Sequence, residues 1–179
     1  MEGLAAAGQL ANRAVQSGSF IESICLSASL IDASLRIGLV LKHQIDTRSI
    51  DIPAELLYQA DDDKIVTERR IFGRAHAEGI IDQDLFKRLE TLHTDRNRVV
   101  HRYIISEITT SEVLAIAHEY LNTVHEVNSR IDVLERRQLE FGIGMTRSKG
   151  PPGVDLRDQI RDLQKKKHDH TDLDANLRR

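Results

Sequence analysis

The sequence has no tryptophan, and its three tyrosines and four phenylalanines make aromatics 4% of the chain. That argues against a module that reads single-stranded nucleic acid by stacking bases on exposed rings. Three prolines and ten glycines in 179 residues are too few for the many tight turns of a β-sandwich. The single cysteine, Cys25, excludes a disulfide framework and a multi-cysteine zinc site. It lies in an apolar helical run and is expected to be a small core residue. No apolar stretch reaches the length of a membrane span, about 18 residues, without a charge. Met1-Glu2-Gly3-Leu4 lacks the basic start of a secretory leader. A soluble, cytoplasmic protein with no membrane partner is expected.

What is present is enough for a core. Hydrophobic residues make up 40% and charged residues 30% of the chain, which suits one globular domain with an appendage. The formal net charge of −3 is unevenly spread. From Met145 onward there are nine Lys/Arg and six Asp/Glu, whereas the first 144 residues hold 16 and 22. An acidic body is a poor non-specific nucleic-acid binder, so any such chemistry must come from a local basic site.

Apolar periodicity points to helices nearly throughout. Residues 4–16 are Ala-rich and end near Gly18. From Ser19, Phe20, Ile24, Ala28, Ile31, Leu35 and Leu39 form one stripe, and Leu26, Leu30, Ile37 and Leu41 a second. A helix apolar on two sides belongs at the centre of a bundle. Pro53 opens a short helix expected to reach Gln59, and Asp61-Asp62-Asp63 the next, expected to run to Glu78 with Gly79-Ile80 as its left-handed cap. A helix from Asp82 carries Leu85, Leu89, Leu92, Arg96, Val99 and Tyr103 on one face, which puts a charge on an apolar stripe. Thr109-Thr110-Ser111-Glu112 is a capping box. It opens a long helix with Val113, Ile116, Tyr120, Val124, Val127, Ile131 and Leu134 as an a/d seam ending near Phe141-Gly142. Residues 145–179 read as a linker, with Gly150-Pro151-Pro152-Gly153, and a charged, apolar-poor tail that is expected to be partly disordered or partner-binding, and at most a solvated helix from Asp155 to Lys167. The expected architecture is an all-α, up-and-down bundle of four or five helices over residues 1–144.

The densest polar cluster is His93-Thr94-Asp95-Arg96-Asn97-Arg98-Val99-Val100-His101-Arg102-Tyr103. Arg96 to His101 fits R-x4-H with a polar residue after the arginine, and His101-Arg102-Tyr103 extends it to R-x4-H-x-Y. In this setting, at the end of an L-x3-L-x2-L helix followed by a capped long helix, the chain resembles the HEPN superfamily (higher eukaryotes and prokaryotes nucleotide-binding domain) over roughly residues 19–141. The tail matches no pattern.

The resemblance implies a metal-independent endoribonuclease of a toxin–antitoxin or phage-defence system, with RNA as substrate and no cofactor. His101 would be the general base or acid and Arg96 the phosphate-stabilising group. Asn97 would support them, and Arg98 and Arg102 would contact the RNA backbone. Tyr103 stands where toxins silenced by an adenylylating, nucleotidyltransferase-like antitoxin carry their modified tyrosine. Family members pair so that both motifs face one cleft, which implies a homodimer and gives Arg96 a reason to sit on an apolar stripe. The alternative is a catalytically inactive HEPN-like dimerisation or nucleotide-sensing module of a larger complex. A plain scaffold, with Arg96 paired to Asp95 or to Glu90 of a neighbour, is the third reading. On a regular helix Arg96 and His101 lie about 140° apart, so they meet only if the helix breaks or a second chain completes the site. The second, with some local unwinding, is the expectation.

Weaker features carry less. His118 and His125 are seven residues apart and do not make an H-x3-H metal pair. His168-Asp169-His170 and Lys165-Lys166-Lys167 read as solvated tail. Gly142-Ile143-Gly144 lacks the order of a phosphate loop.

Overall fold

The computed structural model describes residues 2–57 and 66–143. These form α1 (Glu2–Gln16), α2 (Phe20–Thr47), the short α3 (Ala54–Leu57), α4 (Glu68–Ala77) and α5 (Gln83–Arg102). A 3-10 turn, Tyr103–Ile105, and α6 (Thr110–Glu140) follow. The protein is an all-α bundle, with no strand among the described residues.

Local signals set most of the boundaries. Gly18 takes φ +74° between α1 and α2, a conformation open to glycine and strained for other residues. Gly79, at φ +71°, ends α4. The Gly79 amide donates to the His76 carbonyl (3.0 Å) and the Ile80 amide to that of Ala75 (2.9 Å), as a Schellman cap requires. Asp82 caps α5 by accepting from the Leu85 amide at 2.9 Å. At α6 the Thr109 amide donates to the Glu112 carboxylate (2.8 Å) and the Glu112 amide to the Thr109 hydroxyl (3.2 Å).

One boundary differs from expectation, and another is described only in part. The helix opened by Pro53 is seen over Ala54–Leu57, and its expected continuation to Gln59 lies outside the described residues. α4 starts at Glu68, because Thr67 is extended (ψ 152°). The first-turn acid is therefore Glu68, and Asp61-Asp62-Asp63 lie outside the described residues. So does the expected tail, residues 145–179.

α2 is the central element and packs against α1, α3, α4, α5 and α6. Its most apolar 18-residue window has a mean hydropathy of 1.8, long and apolar enough by composition to cross a membrane. Here Ile24, Ile31, Leu35 and Leu39 of this helix are fully buried in the bundle core. Cys25 is only half-buried, because it falls on the flank of the stripe rather than on its crest.

α5 runs antiparallel to its neighbours. Along α6, Asp82 faces Arg130, Arg88 faces Glu126, and the Tyr120 hydroxyl donates to the Leu92 carbonyl at 2.8 Å. Along α4, Glu68 faces His93 and His76 stacks on Phe86. By contrast α2 and α6 run in the same direction, with Ser34 on Asn128 and Gln44 on Gln138. Strict up-and-down alternation is therefore interrupted once, between α2 and α4, where the connection 48–67 is long enough to bring the chain back. The two parallel helices pack closely at Gly38, where a Cβ would lie 2.5 Å from Ile131 Cδ1. A side chain at that position would require the Ile131 side chain to shift.

The α6 seam finds its partner inside the chain. Val113, Ile116, Tyr120, Val127 and Ile131 are buried in the common core. As a motive for dimerisation the seam is thereby removed, because its apolar surface is already spent on the chain's own helices.

Candidate functional site

His93, Arg96 and Asn97 sit at i, i+3 and i+4 on α5 and so share one face. The face meets the first turn of α4, where the Thr67 boundary places Glu68. The Glu68 carboxylate takes two partners: His93 Nδ1 at 2.9 Å and Arg96 Nη1 at 2.5 Å. Arg96 Nη2 donates to Asn97 Oδ1 at 3.2 Å, and Asn97 Nδ2 lies 3.2 Å from His93 Nε2. The four side chains close a ring. With Glu68 ionised, one arrangement of protons satisfies all four bonds: neutral His93 with its hydrogen on Nδ1, accepting from Asn97 at Nε2.

Burial alone would lower the Arg96 pKa. The hydrogen bond and the charge of Glu68 outweigh it, and the guanidinium is held above its ordinary value. Phe72 packs edge-on against the His93 ring at 6.4 Å. Behind the ring, Tyr120 is pushed well above the ordinary phenol value, chiefly by burial. The expected partners of Arg96 are otherwise engaged: Asp95 faces Arg98 at 3.6 Å and Glu90 faces Arg69 at 3.5 Å. The charge on the apolar stripe of α5 therefore has a partner within the chain.

The remaining motif residues lie apart from the ring. α5 is unbroken through Arg102, so the expected unwinding begins only after His101. His101, Arg98 and Arg102 are all exposed, and on a continuous helix His101 points away from Arg96. The structure does not bring the two together within one chain. Tyr103 is half-buried, and its hydroxyl lies 3.2 Å from Thr110 Oγ1. Next to His101 the surface turns apolar: Val100 is exposed, and Ile104 and Ile105 are 95% and 82% exposed. Among the described residues no three His, Cys, Asp or Glu side chains gather as a metal site.

The sequence reading missed Glu68, which lies 28 residues before Arg96, and gave His93 no role. The H-x2-R-N spacing was the signal available for His93, since it puts the three side chains on one helical face.

Asp32 on α2 borders the cluster electrostatically. It is bonded to Arg36 at 2.7 Å, and its second oxygen is buried without a partner among the described residues. Burial raises its pKa above 3.8, more than the bond and charge of Arg36 lower it, and the charge of Glu68 raises it further. The fold thus favours the protonated acid. That contribution is full below the unfolded value and is lost as pH rises through the folded one. Asp32→Asn keeps an acceptor for Arg36 and is expected to raise the melting temperature at pH 7. The gain should vanish below about pH 4. Thermal melts across this range check it, and a lower melting temperature for the variant at pH 7 would contradict it.

Comparison of the chain with protein-family models, with curated proteins and with solved structures finds no match.

Proposed function

We propose that the chain is a metal-independent endoribonuclease whose site is completed between two copies. The observation that carries this reading is a division of labour along α5. Arg96 and Asn97 are oriented on one side of the helix by Glu68. His101 stands free on another side, beside two isoleucines that are nearly bare. Neighbouring exposed apolar side chains such as Val100, Ile104 and Ile105 suit a contact surface. A second copy seated there would bury them and bring its own motif to the first.

The chemistry then follows from RNA itself. His101 takes the proton of a 2′-OH, the oxygen attacks the adjacent phosphorus, and the P–O5′ bond breaks. The leaving 5′-oxygen takes up a proton from water, and His101 returns its own to the solvent. Arg96 stabilises the added negative charge on the phosphoryl oxygens. The products carry a 2′,3′-cyclic phosphate and a 5′-OH. An RNA-cleaving chain of this kind requires restraint, and a nucleotidyltransferase-like antitoxin acting on Tyr103, or a defence complex, would supply it.

Subunit mixing tests the composite site. Arg96→Ala and His101→Ala chains, each inactive alone, are expected to regain about a quarter of wild-type cleavage when co-refolded in equal amounts. Half of the randomly assembled dimers are mixed, and each holds one intact site. Cleavage should persist in EDTA. No recovery on mixing, or a monomer by sedimentation at micromolar concentration, would overturn the composite site.

One observation favours a second reading. Arg96 is already neutralised by Glu68, which suits a catalytically silent dimerisation or nucleotide-sensing module. That module would bind without cutting.

A further inference from the structure

We propose that Glu68 is a positioning residue, which through His93 presets Arg96 and Asn97 to receive a phosphate oxyanion. The proposal rests on the reading of Arg96 as the phosphate-binding group. It assigns roles to two residues outside the R-x4-H motif.

The four-membered ring is directional. Glu68 accepts from His93 Nδ1 and from Arg96 Nη1, Asn97 donates to His93 Nε2, and Arg96 donates to Asn97 Oδ1. Each bond therefore fixes the sense of the next. Arg96 spends two of its five N–H groups on the ring and keeps three for a ligand. Asn97 has its amide locked one way round and keeps one Nδ2 hydrogen. The carboxylate cancels the long-range pull of the guanidinium. In exchange it holds a planar donor set still, and a fixed donor array stabilises developing charge without reorganising when the charge appears.

Glu68→Gln reverses the ring while keeping its shape. The carbonyl of the new amide must turn toward Arg96, which only donates. The amide NH2 then faces His93 Nδ1, which must accept, so the imidazole hydrogen moves to Nε2. That hydrogen now meets Asn97, whose oxygen must turn to accept it, and the Asn97 NH2 is swung toward Arg96. Two donors then face each other beside the phosphate site, while Arg96 is left without its counter-charge.

The test has a spectroscopic and a kinetic arm on the full-length chain. By 15N NMR, His93 is expected in the Nδ1–H form in wild type and in the Nε2–H form in E68Q. With RNA substrate, kcat is expected to fall about 10–100-fold in E68Q, as for groups that orient a ligand-binding residue, while KM stays level or drops. A 2′-O-methyl oligoribonucleotide, which cannot be cleaved, should bind E68Q at least as tightly as wild type. A tautomer that does not change, or a changed tautomer with wild-type kcat, overturns the proposal. If E68Q fails to fold, the wild-type tautomer decides alone, and Nε2–H there refutes the ring. A wild type that cuts no RNA defeats the ribonuclease reading. The Glu68 assignment then stands on the tautomer switch together with oligonucleotide binding, and falls if neither chain binds.

Discussion

Arg96→Ala is expected to lower RNA cleavage by about 100–1,000-fold, the usual loss on removing a group that stabilises transition-state charge. His101→Ala should fall as far. The double variant should be little worse than the poorer single one, since groups acting as a unit are not additive. Arg96→Lys should not rescue activity, because one ammonium cannot bridge Glu68 and Asn97 as the guanidinium fork does. Arg96→Ala also leaves the half-buried Glu68 carboxylate with His93 as its remaining partner in the ring. The Glu68 and Arg96 side chains are 24% and 19% exposed. The stability loss is therefore expected at about 1–2 kcal/mol, below that for a fully buried pair. Single-turnover cleavage and urea melts on the same preparations separate the two effects. Wild-type cleavage in the alanine variant would remove Arg96 from the mechanism.

Leu35→Ala is expected to cost about 2–5 kcal/mol. Leu35 is fully buried at the centre of α2, where helices press from several sides and the cavity has little freedom to collapse. Against a total stability of about 5–15 kcal/mol, such a loss brings a single domain near its unfolding threshold. The urea midpoint should drop with little change in slope. Leu114→Ala, at a site 47% exposed on α6, should change stability by no more than about 0.5 kcal/mol. Equal losses at the two positions would refute the central placement of α2.

The helices were legible because their signals are local. Asp82, Gly79 and the Thr109–Glu112 box each fix an end through bonds spanning three to five residues. The two-sided stripe of α2 foretold its central place for the same reason. What periodicity cannot give is the identity of the partner. The α6 seam reads equally well as an interface between chains or within one, and α2 claims it. Direction was hidden too, because periodicity does not tell which way a helix runs against its partner. At the candidate site, R-x4-H singles out α5 but joins two residues that the helix turns apart. Glu68 was invisible in a window around the motif, since only tertiary packing brings α4 beside α5.

The pairing of α2 with α6 also has a consequence in time. Ser34 and Asn128, which bond across this pair, stand 94 residues apart in the chain. A ribosome adding about 5–20 residues per second takes roughly 5–20 s to cover that interval. For most of it α2, the most apolar of the described helices, has been made and α6, which covers one of its flanks, has not. α1 emerges first and can shield one flank, since it packs on α2. The flank that meets α6, which includes Gly38, waits until α6 has been made. A truncation before α6 is expected to leave that apolar flank of α2 open to water.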